Sequence, residues 1–190
     1  MATGGVFAAR RMAGWRRRLA GELVVASVLT VAVSLPWKPE SQIEPAANES
    51  DAAAQPTVYG PFGRRELGEA TAAAYTALPP DERANAVVIG DSYWQASSLD
   101  TVRRKYGLPA VYSPSRGFGY FGTPPETATT VLWVGGDGVE PRKWCTDVTA
   151  AGRADARLGI PGVTRDITLW RCDHPHESWS HEWPNMRHLG

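Results

Sequence analysis

Ala86-Val87-Val88-Ile89-Gly90-Asp91-Ser92-Tyr93-Trp94 is the stretch on which the fold turns. Four apolar residues, three of them β-branched, run without a polar interruption and stop at a glycine. Such a run is expected of a strand buried on both faces, as in a parallel sheet. The polar residues after it then lie at the strand's carboxyl end, where α/β sheets hold their ligands. Residues 94–106 continue as a helix. AVYS (110–113) and TVLWVG (130–135) are two further short strands. Upstream, RELGEATAAAYTAL (65–78) puts Leu67, Ala70, Ala74, Tyr75 and Leu78 on one helical face, and Pro79-Pro80 ends it. Downstream, WCTDV (144–148) and ITLWRC (167–172) read as strands, and 177–188 as a short helix interrupted by Pro184. This rhythm predicts an α/β fold, a small mixed or partly parallel sheet with flanking helices.

The chain has 190 residues and is 43% apolar, enough for one domain with appendages. That composition excludes collagen, coiled coil and global disorder. The formal charge is zero, so no overall basic field argues for nucleic acid as a partner. The balance is uneven along the chain. Residues 1–37 carry Arg10, Arg11, Arg16, Arg17 and Arg18 against Glu22 alone, a local balance of +4.

Residues 23–35 (LVVASVLTVAVSL) follow those arginines without a charge. Extended to 19–37, the stretch is about 28 Å long as a helix, against a hydrocarbon core of about 30 Å. Trp15 and Trp37 bracket it as interfacial aromatics do. The expected organisation is a basic cytoplasmic tail (1–18), a transmembrane helix (19–37), a flexible linker (38–57) and an extracytoplasmic α/β domain (58–190). The bilayer is then a partner, and the protein a single-pass protein of the cell membrane with its N-terminus inside. A cleaved export signal shares the apolar run, but Leu35-Pro36-Trp37-Lys38 lacks the small residues that cleavage needs. Outside the cell, an even pair of cysteines favours a bridge, here Cys145–Cys172, stabilising by about 3 kcal/mol in the loop-entropy model.

By these strand assignments Asp91, Ser92, Tyr93, Ser113, Arg116 and Tyr120 lie at carboxyl ends of strands and are the candidate ligand-binding residues. Aromatic rings with polar edges suit a sugar face. Asp91, Asp137 and Glu126 are acids able to converge there. Metal is not expected, because the spacing of His174, His176 and His181 matches no zinc signature. No cofactor is expected either: Gly117-x-Gly119-x-x-Gly122 opens no helix, being followed by Thr123-Pro124-Pro125.

A strand ending in Gly90-Asp91-Ser92 resembles the first block of the SGNH (GDSL-type) esterases. On that alternative reading Ser92 is the nucleophile, His176 the base and Asp173 its orienter, from the D-x-x-H string Asp173-His174-Pro175-His176. Against it, Gly136-Asp137-Gly138 stands where that family has an oxyanion-binding Asn. Only 45 residues separate Ser92 from Asp137, and 36 separate Asp137 from Asp173. Ser92 as a helix N-cap explains the serine without chemistry.

Three longer segments carry a second resemblance: KYGLPAVYS (105–113), RGFGYFGTPPE (116–126) and VLWVG (131–135). They are joined by the ending Leu169-Trp170-Arg171-Cys172, Trp179, Trp183-Pro184 and Arg187-His188-Leu189-Gly190. Together they resemble the C-terminal extracytoplasmic domain of bacterial, mainly actinobacterial, family 39-like (GT-C type) membrane glycosyltransferases. The resemblance covers about residues 58–190. It implies a system that moves a sugar from a polyprenyl-phosphate carrier, with a lipid-linked sugar and a polytopic transferase subunit as partners. The family's catalytic acid lies in an early loop between membrane spans, and no residue here matches it. No catalytic residue is transferred, and the expected role is that of an accessory domain without catalysis alone.

Overall fold

The computed structural model describes residues 3–34 and 38–189. Helices α1 (Thr3–Ser34), α2 (Glu49–Ala54), α3 (Pro56–Tyr59), α4 (Arg64–Ala77) and α5 (Pro80–Ala84) precede strand β1 (Ala86–Gly90). Helix α6 (Tyr93–Tyr106) leads to β2 (Val111–Tyr112), and a 3-10 turn over Arg116–Tyr120 leads on to β3 (Thr130–Val134). Helix α7 (Val139–Trp144), strands β4 (Cys145–Ala154) and β5 (Ile167–Pro175) and helix α8 (Trp179–Met186) complete the chain.

The residues up to Ile43 form one unit and those from Glu44 a second. In the first, Leu23, Val24, Val25, Val28, Leu29 and Val31 of α1 are all exposed. Among the described residues no helix is long and apolar enough to cross a membrane. The uncharged part of α1, residues 23–34, measures about 18 Å. The expected span of 19–37 also needs Leu35, Pro36 and Trp37, which lie outside the described residues.

The second unit, the body, is an α/β sandwich on a five-stranded mixed sheet in the order β2-β1-β3-β5-β4. Strand β1 is parallel to β2 and β3, with Val88 beside Val111 and Gly90 beside Val134. Strand β5 returns antiparallel to β3, pairing Val134 with Leu169 and Thr130 with Asp173, and β4 is antiparallel to β5. Alternate residues of β1 and β3 feed two cores. Val88, Leu132 and Val134 pack with Leu67, Ala74 and Leu99 of α4 and α6. Val87, Ile89, Val131 and Trp133 pack on the opposite face with Trp179, Trp183 and Met186 of α8. Burial on both faces explains the unbroken apolar runs.

The stretch 38–57, expected as a flexible linker, contains α2 and the start of α3, and Ala46 and Ala52 are buried. Asn48 caps α2 by accepting the Asp51 N–H at 2.9 Å, and Arg165 donates to the Ala46 carbonyl at 2.5 Å. Helix α7 falls where the sequence shows no regular pattern. Its six residues include Pro141, and its start is set by Gly138 in the left-handed region (φ 81°).

Cys145 and Cys172 form a disulfide with their Cα atoms 5.7 Å apart, inside the core that α8 covers. The bond ties the start of the edge strand β4 to β5. Replacing Cys145 by Ser is expected to lower the thermal midpoint by about 10 °C, from about 3 kcal/mol lost. An unchanged midpoint in a calorimetric scan would remove the disulfide from the stability account.

Candidate functional site

The order of the parallel strands creates the site. From β1 the chain crosses by α6 to β2 on one side, then returns to β3 on the other side of β1. The carboxyl ends of β1 and β3 therefore diverge at a switch point, the usual position of a ligand crevice in open α/β sheets. The segments lining it are Asp91-Ser92-Tyr93, Gly135–Gly138 and the turn after β2.

Each residue of Gly90-Asp91-Ser92 has a structural task. A Cβ on Gly90 would lie 2.7 Å from the Ala96 nitrogen, so only glycine lets α6 start this close to β1. Ser92 and Gln95 form a capping box. The Ser92 N–H donates to Gln95 Oε1 at 2.8 Å, and its hydroxyl donates to the same oxygen. The buried Gln95 side chain then donates to the Gly162 carbonyl at 2.8 Å. The hydroxyl proton of Ser92 thus goes to an amide oxygen, which is no base.

Asp91 is half-buried. Its Oδ1 accepts the Trp133 indole N–H at 3.0 Å, and Gly136 lies against its carboxylate, where a Cβ would come within 3.1 Å of Oδ1. Gly136 has φ 65°, a conformation that also favours glycine. Burial pushes the Asp91 carboxyl above its ordinary value of 3.8. The indole hydrogen bond opposes that rise, and the carboxylates of Glu140 and Asp137 add to it.

Beside Asp91, the Arg116 guanidinium sits 4.7 Å from the Tyr93 ring, and Tyr93 rests 4.6 Å from Trp94. Arg116 has φ 52°, unusual for a residue with a Cβ. The C-terminal segment holds it there: the Arg116 N–H donates to the His188 carbonyl at 2.7 Å, and the His188 N–H to the Pro114 carbonyl at 3.1 Å. Helix α8 delivers this segment, anchored by indole N–H bonds from Trp179 to Ala128 and from Trp183 to Gly119. On the β2 side a hollow of about 190 Å³ is lined by Arg103, Tyr112, Phe118 and Phe121.

Of the six expected ligand residues, Asp91, Ser92 and Tyr93 follow the carboxyl end of β1, and Arg116 reaches the Tyr93 ring. Tyr120 lies under Arg187, 4.7 Å from the ring. Ser113 is fully buried, its oxygen accepting the Ser115 N–H, and offers no surface to a ligand. Glu126 does not join the other acids, because it accepts the N–H groups of Trp179 and Ser180 at the start of α8. Asp137 is exposed in the loop after β3 and accepts the Val139 N–H.

The alternative triad does not assemble. Antiparallel pairing carries Asp173 to the Thr130 end of β3, about 13 Å of strand from Val134. There it accepts from Thr130 at 2.8 Å and from Arg171 at 2.5 Å, and Arg171 also pairs with Glu82. The His176 N–H donates to the Trp144 carbonyl at that same far end. Ser92 is at the opposite edge, without either partner. Among the described residues no cluster of His, Cys, Asp or Glu could hold a metal ion.

The sequence reading missed Gln95, Trp133 and His188. For Gln95 a signal existed, since Ser92-x-x-Gln95 is a capping-box pattern. The other two reach the site through tertiary packing alone. Comparison with protein families, curated proteins and solved structures finds no match to the chain.

The raised Asp91 value fixes a pH dependence. The folded state holds this proton more tightly than the unfolded chain, so the contribution to stability is complete below 3.8 and is lost as pH rises through the higher folded value. Asp91→Asn keeps an acceptor for the indole and removes the buried charge. It is expected to raise the thermal midpoint at pH 7, with the gain shrinking as pH falls toward 3.8. A variant less stable than the parent at pH 7 contradicts this.

Proposed function

We propose that this chain is a membrane-anchored, extracytoplasmic accessory protein of the family 39-like transferase type. It binds the sugar end of a polyprenyl-phosphate-linked hexose at the switch-point crevice and transfers nothing itself. The observation that carries the reading is the half-buried carboxylate of Asp91, held on Trp133, with the half-buried Tyr93 two residues on and the Arg116 guanidinium over its ring. Carboxylates accept pairs of sugar hydroxyls, aromatic faces take the apolar side of a pyranose, and a guanidinium complements the phosphate. The resemblance over 58–190 supplies the substrate class. The arginine-flanked apolar run supplies the anchor and its orientation, with a polytopic transferase subunit as the partner.

Catalysis is left to that partner. Ser92 gives its hydroxyl proton to the Gln95 amide oxygen, and no residue here matches the family's catalytic acid.

The full-length chain in detergent, titrated with farnesyl-phosphate mannose, glucose and galactose, is expected to bind at least one of them. Asp91→Asn should weaken that binding by about tenfold, the loss of one charge-assisted hydrogen-bond set, while remaining folded. Arg153→Gln, on the exposed β4, should leave it unchanged. Absence of binding to all three, or equal binding by Asp91→Asn, defeats the proposal. In intact cells, added protease should digest residues 58–190 from outside and leave the arginine-rich tail protected. Digestion only after lysis contradicts the orientation.

A further inference from the structure

Five large apolar side chains of the body are open to solvent among the described residues: Trp94, Tyr120, Phe121, Val139 and Leu189. Single exposed apolar residues are ordinary on any surface. Here four of the five follow the carboxyl ends of the parallel strands, and the fifth comes from the C-terminal segment. Trp94 lies in the first turn of α6 after β1, Tyr120 and Phe121 come after β2, and Val139 comes after β3. Leu189 adjoins His188, which bridges to Ser115. Phe121 and Leu189 are 83% and 82% exposed, so nearly the whole of each side chain meets water.

Three guanidinium groups at this end rest on aromatic rings. Arg116 lies on Tyr93, Arg187 on Tyr120 and Arg142 on Trp170. None of the three forms an ion pair with a carboxylate among the described residues. The acids at this end hydrogen-bond within the body and keep their charge: Asp91 with the Trp133 indole, Asp137 with the Val139 N–H, and Glu140 with Lys143 and the Trp144 indole. Guanidinium groups seated on aromatic rings, among isolated apolar side chains from separate loops, match the headgroup zone of a bilayer. Apolar tips enter the acyl boundary there while cations meet phosphates.

We propose that this end of the body rests on a phospholipid surface, with Phe121, Tyr120 and Leu189 at the acyl boundary and Arg116 and Arg187 on lipid phosphates. The inference shares Arg116 with the proposed sugar site, while Phe121, Leu189 and Arg187 belong to this surface alone.

The test uses the full-length chain in phosphatidylcholine vesicles containing phosphatidylglycerol. Both native cysteines are bonded to each other, so an introduced cysteine can be labelled selectively with an environment-sensitive dye. Phe121→Cys and Leu189→Cys report on the proposed face. Glu177→Cys, after the far end of β5, is the control. Lipid carrying a nitroxide near the headgroup should quench the dye at 121 and 189 about threefold more than at 177, as expected for shallow interfacial insertion. Arg116→Gln with Arg187→Gln should remove most of that difference, and high salt should weaken it. Equal quenching at all three positions, or failure of the chain to float with vesicles, overturns the proposal. Shielding of 121 and 189 by an added protein without lipid quenching assigns the face to a protein partner and overturns it as well.

Discussion

Strands β1 and β3 have no solvent face, and the body follows from that constraint. Each of their residues must be apolar or small, because helices cover one side and tryptophans the other. Polar side chains can appear only where the strands stop. At the carboxyl end the crossovers part company and leave space. At the other end Arg171, Glu82, Asp173 and Thr130 form a closed ionic and hydrogen-bonded group. The chemistry of the body is therefore concentrated where Gly90 lets α6 begin in contact with β1 and so presents Asp91 to the crevice.

Asp91 is expensive to keep. Desolvation of its carboxylate outweighs the indole hydrogen bond, so the folded state is less stable with the charge than without it. Two other carboxylates of the body behave in the opposite sense. Glu126 is held below its ordinary value by N–H groups at the start of α8, and Glu140 by Lys143 and Trp144, whose hydrogen bonds outweigh its partial burial. A carboxylate retained against its own desolvation at a strand switch point is more economically explained by a ligand than by folding. The same residues account for Gly90-Asp91-Ser92 without a nucleophile, since close packing, an indole contact and a capping box use all three.

Much of the architecture was legible because two-sided burial leaves unbroken runs such as Ala86–Gly90 and Thr130–Val134. The bounds of α4, α6 and α8 followed from apolar spacing and from Pro79-Pro80. The sequence could not disclose strand direction. Asp173-His174-Pro175-His176 looks like a catalytic block until antiparallel pairing takes it to the wrong end of the sheet. It also concealed the short helices α2 and α3, because six or fewer residues show no period and the burial of Ala52 depends on tertiary contact. Within the site, Asp91, Ser92, Tyr93 and Arg116 were readable as residues at strand ends. Ser113 was assigned to the same end but points into the interior. The approach of His188 was not readable, since it depends on the path of α8 and on two tryptophan side chains that share no local pattern with β1.

The most direct test of the account is the ionisation of Asp91 itself, followed by carbon-13 NMR of its carboxyl group in the full-length protein as pH is varied. The account predicts a midpoint above 3.8 in the free protein, and a displaced midpoint when a farnesyl-phosphate hexose that binds is added. A midpoint at or below 3.8, unmoved by any of the three sugars, would contradict both the buried carboxylate and the site built around it.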